Sequence, residues 1–101
     1  MAMHNPPHPG EFIREIYLAP YDLSVRSLAE SLGVAPSTLT RIIRGQSGIS
    51  PEMALRLSKA IGRSPESWLA MQDNYDLWQA RKSANLAKVR KIRFEADVVQ
   101  W

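Results

Sequence analysis

The sequence has no cysteine, which removes disulfides, thiolate nucleophiles and cysteine-ligated zinc together and leaves packing alone to hold a core. That suits a reducing cytoplasm, the expected compartment. Nowhere do apolar residues run on long enough to span a bilayer, and the stretch Met1-Ala-Met-His-Asn-Pro-Pro-His-Pro has no basic segment followed by an apolar one. Neither membrane insertion nor export is expected. There are two histidines, His4 and His8, and both lie among prolines that oppose a shared helical face, with no third ligand placed to complete a shell. No metal and no other cofactor is expected. Without a glycine-rich phosphate loop, a cysteine nucleophile or a metal-ligand cluster, an enzyme reading has little to stand on.

A strong excess of one charge is missing too, for the net charge is +3. Its placement is uneven: residues 1–80 carry seven basic and eight acidic side chains, and residues 81–101 carry six and two. The pI near 9.6 favours a polyanionic partner without requiring one.

What is present is a run of short helical patterns in a chain of 101 residues, the size of one domain. Apolar residues recur at intervals of three and four between turn residues. Helix one starts near Pro9 and sets Phe12, Ile13, Ile16 and Tyr17 in one stripe before Ala19-Pro20-Tyr21-Asp22 breaks it. Ser24 caps helix two, whose Val25, Leu28, Ala29 and Leu32 face inward until Gly33 stops it. Helix three spans Pro36 to Arg44, with Leu39, Ile42 and Ile43 inward. Ser50-Pro51-Glu52 opens helix four, with Met53, Ala54, Leu57, Ala60 and Ile61 buried and Gly62 as its stop. Ser64-Pro65-Glu66 repeats that start for helix five, which carries the stripe Trp68, Met71, Tyr75 and Trp78, assigned to the core first and an interface second. Beyond it, Ile92-Arg93-Phe94-Glu95-Ala96-Asp97-Val98 alternates at period two, the pattern of a half-buried strand that would need a partner, or else belongs to an unordered terminus.

Helices two and three, joined by a glycine turn, form a helix-turn-helix. Ala29 permits close approach, Gly33 turns the chain, Val34 fills the corner, and the polar face of helix three is left outward. That face consists of Ser37, Thr38, Thr40, Arg41 and Arg44, types that meet base edges and phosphates when such a helix enters the major groove. Thr40 and Arg41 are assigned to the groove and Arg44 to the backbone. Gln46 and Ser47, just past the helix, are assigned to phosphates.

The segment Leu28-Ala29-Glu30-Ser31-Leu32-Gly33-Val34-Ala35-Pro36-Ser37-Thr38-Leu39-Thr40-Arg41-Ile42-Ile43-Arg44-Gly45 resembles the lambda-repressor-type helix-turn-helix family. With Ile49-Ser50-Pro51-Glu52-Met53-Ala54-Leu55-Arg56-Leu57, Ser64-Pro65-Glu66-Ser67-Trp68-Leu69, Gln72-x-x-Tyr75-Asp76-Leu77-Trp78 and His8-Pro9-Gly10-Glu11, it is similar to the HigA (VapI-related) antitoxins. The likeness runs from about residue 8 to about residue 80. It implies a homodimer that binds double-stranded operator DNA, represses its own operon and neutralises a HigB-type toxin, a small basic ribonuclease acting on messenger RNA. Two positions depart from relatives: Ala35 cannot cap helix three with a side-chain oxygen, and Val25 cannot hydrogen-bond to DNA.

The expected fold is therefore all-α, a five-helix lambda-repressor-like domain over residues 8–80. Residues 1–7 form a disordered leader, and residues 81–101 a basic extension that contacts a second copy or the toxin, or is disordered. Two other readings remain: a free-standing transcriptional regulator, and a protein-interaction module that has lost DNA binding.

Overall fold

Four helices open on proline, whose fixed φ and missing N–H suit a first turn. The computed structural model describes residues 5–94. Its elements are α1 (Pro9–Ile13, continued by a π-helical segment Arg14–Leu18), α2 (Val25–Leu32), α3 (Pro36–Ile43), α4 (Pro51–Ile61) and α5 (Pro65–Ser83). Ser24, Ser50 and Ser64 each accept a hydrogen bond from the backbone N–H three residues on, at 3.0, 3.1 and 3.0 Å. Each such cap contributes about 1 kcal/mol. Ala35 opens α3 with no side-chain bond.

The helices enclose one core of Ile13, Leu18, Leu28, Ala29, Leu32, Leu39, Ile42, Ile49, Met53, Ala54, Leu57 and Trp68. The inward faces of α2 and α3 are those expected. The stripe on α1 differs: Ile13 is fully buried, Phe12 and Tyr17 pack against the core, but Ile16 is 47% exposed and Leu18 takes its place. The cause is the π-helical turn. Ala19 N–H donates to the Arg14 carbonyl and Leu23 N–H to the Leu18 carbonyl, both at 2.9 Å and five residues back. A five-residue repeat brings Leu18, and not Ile16, onto the face of Ile13. On α4, Ala60 is exposed and not buried.

Trp68 anchors α5, with its ring fully buried and Nε1 donating to the Gly62 carbonyl at 3.0 Å. Phe12 meets it edge-on, with centroids 6.0 Å apart. Further along α5 the aromatic stripe leaves the core. Tyr75 packs on His8 at 4.9 Å, and Trp78 lies beside the Lys82 ammonium at 5.6 Å. From Gln79 to Phe94 every residue is exposed.

The expected flanks, residues 1–7 and 81–101, fall only in part among the described residues. Pro6 is buried, so the packed unit begins ahead of His8 and takes in the end of the expected leader, while residues 1–4 lie outside the described residues. α5 runs on to Ser83, three residues past the expected edge of the domain. After it, residues 84–94 hold one turn, closed by Val89 N–H on the Leu86 carbonyl at 2.9 Å. No strand occurs among the described residues. Ile92 and Phe94 are 68% and 71% exposed, and the rest of the period-two segment lies outside the described residues.

Candidate nucleic-acid interface

The turn between α2 and α3 is built on Gly33, at φ 72° and ψ 32°, a left-handed conformation that costs a residue with a Cβ about 1 kcal/mol. Gly33 N–H donates to the Glu30 carbonyl and Val34 N–H to the Ala29 carbonyl, at 3.1 and 3.0 Å, which satisfies the end of α2. Arg56 then reaches across from α4. Its Nη1 donates to the Leu32 carbonyl at 2.8 Å, and its Nη2 donates to Glu52 at 2.8 Å. The start of the turn is thus tied to a third helix, a contact for which a lone arginine on an expected helix surface gives little sign.

With Leu39 and Ile42 buried, the opposite side of α3 presents Ser37, Arg41 and Arg44, all exposed and spaced by four and three residues. Thr38 and Thr40 are half-buried along its two borders. Past the helix Gly45 turns at φ 76°. Gln46 and Ser47 then fold back, both donating their N–H to the Arg41 carbonyl, at 2.8 and 3.3 Å. Ser37, Arg41 and Arg44 thus form the exposed strip of α3, Thr38 and Thr40 flank it, and the backbone of Gln46 and Ser47 closes onto its end. Among the described residues the ion pairs are Arg14–Glu15 and Arg56–Glu52, so neither Arg41 nor Arg44 is engaged by a carboxylate.

Two polar residues not singled out as site residues hold this strip in place. Gln72 of α5 is buried, and its Oε1 accepts from Ile49 N–H at 2.8 Å while its Nε2 donates to Asp76 at 3.0 Å. The loop carrying Gln46 and Ser47 is so pinned to α5. The available signal is position: Gln72 follows Trp68 by one turn and shares its face.

His8, which the sequence places among prolines at the edge of the expected domain, is 8% exposed. Its Nδ1 accepts from Gly10 N–H at 2.9 Å, capping α1, and the ring also bonds the backbone of Ser47. Burial pushes its pKa below the ordinary 6.5, against the opposing pull of Asp76, the Ser47 bond and Glu11. Beside it lies a groove of about 410 Å³ lined in part by Glu11, Arg14, Arg44 and Tyr75. Among the described residues no group of three or more potential ligands could hold a metal ion, and no helix is long and apolar enough to cross a membrane.

α1 fixes the depth of α3. Gly10 lies against the backbone of α3, where any Cβ would run into the Ile42 carbonyl. A helix-turn-helix family profile matches residues 13–68, the span from the fully buried Ile13 to the fully buried Trp68. The chain belongs to the helix-turn-helix family. It is 38% identical over 92 residues to the HTH-type transcriptional regulator YddM of Escherichia coli strain K12, covering 91% of this chain and 97% of that protein. It is 48% identical over 75 residues to virulence-associated protein I of Dichelobacter nodosus, covering 74% and 69%. The antitoxin HigA of Pseudomonas aeruginosa, solved with the higBA promoter, superimposes with a TM-score of 0.78 at 35% identity, over 87% of this chain and 96% of that one. The resemblance to HigA and VapI proteins read from the sequence holds, as does the all-α helix-turn-helix fold.

Proposed function

We propose that this chain is an antitoxin and autorepressor: a homodimer that reads a palindromic operator with α3 and neutralises a HigB-type toxin encoded beside it. The observation that supports the reading best is the exposed row Ser37, Arg41 and Arg44 on α3, in a fold shared with a HigA antitoxin solved with promoter DNA. A helix carrying hydroxyls and free guanidinium groups on its outer face suits the major groove. Thr40 and Arg41 read bases, and Arg44, Gln46 and Ser47 grip phosphates. The outer face of α5 and the extension, where Leu77, Leu86, Val89 and Ile92 are exposed, serve the dimer or the toxin.

The test has two arms. Duplex DNA from upstream of the chain's own coding sequence is compared with a scrambled duplex in a mobility-shift titration, and the chain is co-expressed with the product of any small neighbouring reading frame. Tighter binding of its own upstream DNA and rescue of growth support the reading. Equal affinity for both duplexes, with no rescue, overturns it. The similarity to YddM, described as a transcriptional regulator, favours a second reading in which no toxin partner exists. That reading predicts selective DNA binding and no neighbouring ribonuclease gene. An interaction module that has lost DNA binding would show no salt-dependent shift on either duplex.

A further inference from the structure

The helix-turn-helix domain is poorly charged for a polyanion. Residues 1–80 hold seven cationic and eight anionic side chains, so long-range attraction to DNA cannot come from the domain as a whole. Between Asp76 and Glu95 there is no acidic residue, and Arg81, Lys82, Lys88, Arg90, Lys91 and Arg93 all fall in that interval. We propose that this C-terminal arm, residues 81–94, is a second DNA-binding element that grips the phosphate backbone flanking the site occupied by α3. The inference rests on the DNA-binding reading above and extends it to residues outside the helix-turn-helix.

Three observations carry it. The first is charge, since the arm supplies the cations that the domain lacks. The second is availability: every residue from Gln79 to Phe94 is exposed, and none of the four cations beyond α5 takes part in an ion pair among the described residues. The third is placement. Tyr75 on α5 lines the same groove as Arg44 at the end of α3, and Gln72 binds the loop that follows α3. α5 therefore runs past the C-terminal end of the DNA-facing helix. From Tyr75 to Ser83 it advances about 12 Å at 1.5 Å per residue. The stretch from Ala84 to Phe94 can then extend up to about 36 Å at 3.3 Å per residue, close to one turn of duplex. An arm of that reach, launched from that place, meets backbone phosphates beside the half-site.

Phosphate contacts have a signature of their own, because each one releases condensed counterions and adds about 0.9 to the slope of log K against log salt. The experiment compares the full-length protein with its Lys88→Gln, Arg90→Gln, Lys91→Gln, Arg93→Gln variant on upstream and scrambled duplexes at several salt concentrations. The expected result is a slope smaller by about three to four units per chain, with both duplexes weakened by a similar factor and the preference between them retained. An Arg90→Lys, Arg93→Lys variant keeps the charge and should keep the slope. An unchanged slope in the glutamine variant overturns the proposal, and so does a smaller slope accompanied by lost self-association, since a monomer sheds one half-site's phosphate contacts and the arm would then be a protein contact. Failure of the unmodified protein to bind either duplex would instead overturn the DNA-binding reading and the arm with it.

Discussion

Arg41 and Arg44 sit three residues apart on one strip, but their backbones differ. Arg41 is in the last turn of α3, and Arg44 is the residue at which the helix ends, with φ −83° and ψ 0°. On the proposed reading, Arg41 on the helix proper is the base contact and Arg44 at its end the phosphate contact. Arg41→Ala should cost about 1–3 kcal/mol per half-site and relax preference at one base pair. Arg44→Ala should weaken upstream and scrambled DNA alike and lower the salt slope by about one unit per contact. Isotherms on the two duplexes separate these outcomes, and equal losses from Arg41→Ala on both would sink its assignment to a base. His8 acts by another route. Its pKa is lowered by burial in the fold and ordinary in the unfolded chain, so between those two values the unfolded state binds more proton. Stability is full above pH 6.5 and falls as pH drops below it. Denaturation midpoints measured from pH 8 to pH 5 should show that decline in the native sequence, and a smaller one in His8→Asn, which keeps a capping oxygen.

At the scale of elements, the depth and tilt of α3 are set from behind. The absent side chain at Gly10 lets α1 lie on the backbone of α3 at Ile42. A methyl there forces the two helices apart, and overpacking of this kind costs about 1–3 kcal/mol. Gly10→Ala should therefore lower the melting temperature and weaken DNA binding although it removes no polar group. Gln72→Ala attacks the same assembly from α5. It leaves Ile49 N–H buried without its acceptor, a loss of about 1–3 kcal/mol, measurable by chemical denaturation. These two contacts also mark the limit of what the sequence made legible. Caps, prolines and glycine stops delimited α2 to α4 and the start of α5, because those signals act within one turn of chain, whereas no such stop marks the end of α5 at Ser83. The outward row on α3 followed from period alone. The π-helical turn in α1 did not, since nothing in the spacing of Phe12, Ile13, Ile16 and Tyr17 reports a five-residue hydrogen bond, and the result put Ile16 on the wrong face. Nor did the burial of His8, which depends on Tyr75 of α5, 67 residues away in the chain.

At the scale of the whole molecule, if α3 is the recognition helix, one per chain makes only a modest contact, and tight binding then calls for two chains on a two-fold axis and half-sites about 34 Å apart or a multiple of it. Residues 85–94 contribute nothing to the core. If the proposed dimer forms through the extension, a chain ending after Ala84 should keep its helical circular dichroism and its melting temperature while sedimenting as a monomer at concentrations where the full chain self-associates. If the shortened chain dimerises equally well, the exposed Leu86, Val89 and Ile92 are not the seam. The position of Trp68 has a use in following such changes. An indole sealed from water emits at shorter wavelength than one in contact with it, and Trp68 is sealed by Phe12 and Tyr17 from α1 and its π-helical continuation while Trp78 is only half-buried. With Trp78 and Trp101 replaced by phenylalanine, the colour of the remaining fluorescence becomes an optical gauge of whether α1 and α5 are still together, readable in dilute solution without any attached dye.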